Sequence, residues 1–210
     1  MPLNTEDLEH VYGARTPEEA RAAYDGWAER YDGDNLAGGF RLPGVAAGFA
    51  ARHVPRGSGP ILDAGCGTGL VGEALTVFGF GPLHGLDLSP RMLAAAEARG
   101  VYESLTEHRL GTPLPFADGA FRAASCFGSF GPGHAPPESL DELARVVRPG
   151  GHVLFNLVEA SYEAQGFPAV MERLAAAGRW REAERSPAFR AFLLTEPELL
   201  CRVFVFEVLT

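Results

Sequence analysis

Four glycines crowd into Leu62-Asp63-Ala64-Gly65-Cys66-Gly67-Thr68-Gly69-Leu70-Val71-Gly72, between a short apolar run and an apolar helical pattern. Few features constrain a fold more. Without Cβ atoms such a turn can take left-handed dihedrals, drop directly from a strand into a helix, and let a ligand lie against N–H groups at the positive end of the helix dipole. The turn is therefore a candidate binding loop, and the elements on either side of it belong to a βαβ unit.

The chain around it fits that reading. Strands are expected at Ile61 to Ala64, Leu83 to Leu86, Ser104 to Leu110, Phe121 to Phe127 and His152 to Val158, and helices at Leu70 to Phe78, Pro90 to Arg99 and Pro137 to Val147. This alternation predicts a parallel sheet covered on both faces. A helix at Tyr162 to Ala177 and an irregular stretch then lead to a closing strand, Val203 to Leu209. Upstream, Thr16-Pro17-Glu18-Glu19 signals a helix start, and the helix is expected to run towards Tyr31. A glycine-rich break from Gly33 to Gly39 precedes an alanine-rich apolar segment, Arg41 to Val54. Residues 1–57 read as a helical N-terminal cap and 58–210 as the core of a single domain.

Composition narrows the chemistry. All 18 basic residues are arginines, so neither a Schiff-base lysine nor a P-loop lysine is present. With 27 acidic residues the net charge is -9, which disfavours nucleic acid and anionic membranes as partners and leaves a small molecule as the expected one. Cys66, Cys126 and Cys201 lack paired spacing, and no histidine pair has metal-ligand spacing, so free thiols, a cytoplasmic location and no metal are expected. Met1 to His10 lacks the pattern of a secretory leader, and no apolar stretch has the length of a membrane span.

Two cofactor classes compete for the loop. Gly67-Thr68-Gly69-Leu70-Val71-Gly72 matches the dinucleotide pattern G-x-G-x-x-G, with Asp87 at the distance where an acid would meet ribose hydroxyls. Asp63, Gly65, Gly67 and Gly69 also match D-x-G-x-G-x-G, which resembles the first motif of methyltransferases dependent on S-adenosylmethionine (SAM). Asp63 separates the two: a carboxylate at the strand end repels a pyrophosphate and complements a ligand carrying ammonium and sulfonium charges. An NAD-type oxidoreductase is thereby disfavoured.

The resemblance spreads beyond the loop. Gly85-Leu86-Asp87-Leu88-Ser89-Pro90-Arg91-Met92-Leu93 resembles the second-strand motif of class I methyltransferases. Leu114 to Phe121 resembles the approach to the fourth strand, and Leu140 to Phe155 the helix and turn before the fifth. The resemblance implies a Rossmann-like α/β fold, with a seven-stranded mostly parallel sheet and an antiparallel C-terminal strand. It also implies SAM as cofactor, S-adenosylhomocysteine (SAH) as product, and Gly65, Cys66, Gly67, Asp87, Leu88 and Met92 around the ligand. Cys126 at the end of the fourth strand completes this group of candidates. Tyr24 to Asp32 and Gly178-Arg179-Trp180 are similar to the methyltransferase-like family of the Williams-Beuren region, which makes Tyr24, Trp27 and Tyr31 candidates for a lid. The same three- and four-residue spacing also describes a helix face docked on a core.

Two positions depart from the pattern. Leu110 stands where many relatives carry an acid for the adenine amino group, so adenine is expected to rely on apolar and backbone contacts around Leu110 and Gly111. Arg122 stands where relatives often carry an acid after the phenylalanine that opens the fourth strand. For chemistry, the loop Gly128 to His134 at the carboxyl end of that strand supplies His134 as a candidate to bind or deprotonate an acceptor. Transfer of a methyl group to a small acceptor is the expected activity, and a cofactor-binding protein without catalysis is the alternative. The sequence specifies neither the acceptor atom nor an oligomeric state.

Overall fold

The computed structural model describes residues 10–11, 13–131 and 134–210. Residues 1–9, 12, 132 and 133, which include most of the Met1 to His10 segment and two positions of the candidate catalytic loop, lie outside the described residues.

Helices α1 (Pro17–Ala37) and α2 (Leu42–His53) precede the alternating core. The core then runs β1 (Ile61–Ala64), α3 (Leu70–Val77), β2 (Leu83–Asp87), α4 (Pro90–Arg99), β3 (Ser104–Glu107), β4 (Phe121–Cys126), α5 (Ser139–Val146) and β5 (Val147–Val158). It closes with α6 (Glu159–Ala164), α7 (Phe167–Ala176), β6 (Trp180–Arg185), β7 (Phe189–Arg190) and β8 (Leu200–Val208). The sheet order is β3-β2-β1-β4-β5-β8-β6, with β7 pairing β8 off that path. Strands β1 to β5 are parallel, and β8 turns antiparallel against β5, β6 and β7. The order reverses direction at β1, and this is where open α/β sheets place their ligand crevice.

Burial on both faces explains the parallel core. All four residues of β1 are buried. Along β8 the alternation is resolved by face: Phe204 and Phe206 join the cluster containing Leu143, Phe155 and Trp180, whereas Val203 and Val205 join the one containing Ala46, Ala47 and Leu75.

Three expectations change. The C-terminal antiparallel part holds three strands, because residues 180–185 and 189–190 pair with β8. In β6 only Trp180 is buried, so the segment carries no apolar alternation; the ladder and the stacking of Trp180 on Phe206 (4.1 Å between centroids) hold it. The helix expected over 162–177 is two helices, broken where Gly166 takes φ +80°. Finally, α1 continues through Gly33 to Ala37, since Trp27 Nε1 donates to Asp34 (2.7 Å) and Asn35 Nδ2 to the Tyr31 carbonyl (2.8 Å), which tie the last turns together. Among the described residues no helix is long and apolar enough to cross a membrane, and no cluster could hold a metal ion.

Candidate active site

The glycine loop leaves β1 at Ala64 and caps α3 at Gly69. Gly65 (φ +73°) and Cys66 donate their N–H groups to the Leu86 carbonyl at 2.7 and 3.0 Å, binding the turn to β2. A Cβ at Gly65 would overlap the Ser129 hydroxyl, so the loop after β1 and the loop after β4 meet only because this residue is glycine. Asp87, at the end of β2, accepts from Gly67 N (2.8 Å) through one oxygen and from Ser89 N (2.9 Å) through the other. Burial pushes its carboxyl above the usual aspartate range, with the backbone donors pulling the other way.

Asp63 differs from expectation. It is 1% exposed, lines neither of the two cavities described below, and accepts from the hydroxyls of Tyr102 (2.7 Å) and Ser125 (2.9 Å). Burial pushes it up to about 6, against both hydroxyl donors. Its carboxylate therefore does not meet a ligand's positive charge directly; it ties β1 to β4 and to Tyr102 beneath the loop. The tyrosine ring occupies the space that a Cβ at Gly72 would fill, so the last glycine of the dinucleotide-like pattern makes room for a side chain.

Helix α1 is pinned across this loop. Asp25 accepts from Ser89 Oγ (2.5 Å), Asp32 accepts from Thr68 Oγ1 (2.5 Å), and the Arg99 guanidinium pairs closely with Asp32 while its Nε reaches the Thr68 carbonyl at 2.5 Å. None of these partners is within thirty residues of its mate in sequence, which is why periodicity and motif spacing do not reveal them.

Two cavities lie under α1. The first, about 320 Å³, is lined by the predicted Tyr24, Tyr31, Gly65, Cys66, Gly67, Asp87, Leu88, Met92, Leu110 and His134. The second, about 270 Å³, is lined by Trp27 together with Phe130, Asn156, Ser161 and Phe192. Tyr24, Tyr31, Phe40, Gly128 and His134 line both. At this boundary the Tyr24 hydroxyl and His134 Nε2 are 2.9 Å apart, joining the cap to the loop after β4.

Gly111 and Cys126 line neither cavity. Gly111 (φ +88°) lies where a Cβ would overlap Pro136, and its part is to shape the turn that carries Leu110. Cys126 is wholly buried at the end of β4, and burial raises its thiol far above the cysteine range. His108, which no sequence motif singles out, lines the first cavity two residues before Leu110. Its Nε2 is 3.1 Å from the Pro113 carbonyl and 3.0 Å from Thr112 Oγ1, whose own proton goes to the Arg109 carbonyl at 2.8 Å. A carbonyl only accepts, so Nε2 carries a proton, and in the neutral form of the ring Nδ1 is the accepting nitrogen.

A methyltransferase domain model matches residues 62–155. The chain is 39% identical to human methyltransferase-like protein 27 over 166 residues, 75% of this chain and 66% of that protein, so it spans about two thirds of that relative's length. It is 34% identical over 173 residues to the demethylmenaquinone methyltransferase of Mycolicibacterium vanbaalenii, 74% of this chain and 72% of that one. A yeast 18S rRNA (guanine(1575)-N(7))-methyltransferase matches over 64 residues at 48%, covering 30% of this chain and 23% of its own. Among solved structures the [4+2]-cyclase SpnF shares the fold, with a TM-score of 0.71 at 19% identity over 94% of this chain and 98% of that one. The chain belongs to the class I SAM-dependent methyltransferase superfamily.

Proposed function

We propose that this chain transfers a methyl group from SAM to a small-molecule acceptor. The observation that carries the reading is the pair of adjoining cavities beneath α1, one built on the glycine loop and Asp87, the other on side chains of the cap, the loop after β4, the end of β5 and α6.

In the first cavity Asp87 is the one carboxylate lining residue among those described, placed to accept from the two ribose hydroxyls. Leu88, Met92 and Leu110 supply apolar walls for adenine, and His108 offers an accepting nitrogen in place of the acid absent at Leu110. When bound, SAM supplies a methyl group whose leaving sulfur is already activated. The protein then has to align the acceptor and keep water out, which is the part a closed cap plays. Tyr24 and His134, hydrogen-bonded at the boundary of the two cavities, are the pair we assign to take the proton of an acceptor hydroxyl, with His134 as its final holder.

A cytoplasmic protein acting on a small molecule is supported by three separate thiols, all buried and unpaired with one another, and by the net charge of -9. Calorimetry against SAM, SAH and NAD in one buffer tests the cofactor. Micromolar binding of the first two with none of the third is expected; binding of NAD alone overturns the reading.

A further inference from the structure

The second cavity has a chemical character of its own. Although 21% of the chain is charged, no aspartate, glutamate or arginine appears among the described residues that line it. Its polar contributions are the amides of Asn35 and Asn156, the Ser161 and Tyr31 side chains, and the Tyr24–His134 pair at the boundary with the cofactor cavity. Much of the rest is aromatic, from Trp27, Phe40, Phe130 and Phe192. The Trp27 Nε1 proton is already given to Asp34, so the indole offers a ring and no free donor. An ionised ligand entering this space would lose its hydration and, among the described lining residues, meet no carboxylate or guanidinium to replace it. A flat neutral ring meets four aromatic walls instead.

Building on the function proposed above, we infer that the second cavity binds an uncharged, largely apolar ring compound and that its hydroxyl group, held at the Tyr24–His134 boundary, is the methyl acceptor. In the transfer the acceptor oxygen forms its bond to the methyl carbon as the carbon–sulfur bond breaks. The bonding pair stays on sulfur, giving neutral SAH, and the hydroxyl proton passes to His134.

The test titrates SAH-loaded protein with 2-naphthol and with 3-hydroxy-2-naphthoate, two probes differing by one carboxylate, while following tryptophan fluorescence. Trp27 lines the cavity and Trp180 is 1% exposed in the core, so a saturable quench reports occupancy of this space. The neutral probe is expected to bind at least tenfold more tightly than the carboxylate. Filling the cavity with Ser161→Leu, or with Leu199→Phe from its half-buried wall if the first variant does not fold, is expected to abolish the quench while calorimetric SAH binding persists. Equal or tighter binding of the carboxylate overturns the inference. So does silence from 2-naphthol while SAH still binds, or a quench that survives the filled variants. Loss of SAH binding in the parent protein would instead overturn the function proposed above.

Discussion

The two cavities under α1 are built by different means. The first rests on backbone: positive φ at Gly65, Gly67 and Gly69, N–H groups of the loop tied to Leu86 and Asp87, and the end of β2. The second rests on side chains from α1, the loop after β4, the end of β5 with α6, and the segment around β7, with no contribution from the glycine loop. A backbone-built site is specified by a short contiguous motif, because dihedrals are local. A side-chain-built site is specified by distant residues that meet only in the folded chain, and it can change its ligand without disturbing the first.

The sharpest break of this comparison is Gly65→Val. A β-branched residue at φ +73°, overlapping Ser129, is expected to reduce SAH affinity by at least about 100-fold, roughly 3 kcal/mol, in calorimetry. Next is Asp63→Asn, which probes support beneath the loop. Because burial raises the native pKa from 3.8 to about 6, the native state holds this proton more tightly than the unfolded chain. The contribution of Asp63 to stability is therefore greatest below pH 4, falls as pH rises to about 6, and is flat above, a span of about 3 kcal/mol. Urea unfolding from pH 4 to 7 should show the difference between parent and variant changing by that amount in the variant's favour. Asp87→Ala, measured by SAH calorimetry, is expected to lose ~1 to 3 kcal/mol, as for hydrogen bonds to a charged acceptor. Smallest is Thr68→Val, which removes the hydroxyl held by Asp32; about 1 kcal/mol is expected. Since α1 roofs both cavities, this variant should weaken SAH and 2-naphthol alike, whereas Asp87→Ala should leave the naphthol quench within twofold.

That contrast also explains what the sequence discloses. The parallel core is readable from apolar runs broken by Pro, Gly and helical patterns, and the cofactor loop from its glycines. Tyr24, Trp27 and Tyr31 are readable as an aromatic face, yet only folding shows that Trp27 reaches the second cavity alone. Asp63 is visible as a residue, but its orientation depends on Tyr102 and Ser125, 39 and 62 positions away. His108 escapes notice because a histidine after a strand has no signature; the tether of Nε2 to Thr112 and Pro113 gives it one. Strand β6 escapes because its exposed Arg-Glu-Ala-Glu-Arg has no period to detect.

Tyr102 gives the glycine pattern a different meaning. Its ring lies against positions 69, 72 and 85, where an added Cβ would press on it, and its hydroxyl holds the buried Asp63. At Gly72 this ring alone sets the limit, whereas Gly69 also meets Arg99 and Gly85 also meets Leu105 and Cys66. A methyl group at Gly72 is excluded while the tyrosine is present and admitted once the ring is removed, so the same mutation is destructive in one background and tolerated in another. The epistasis follows from a single shared volume.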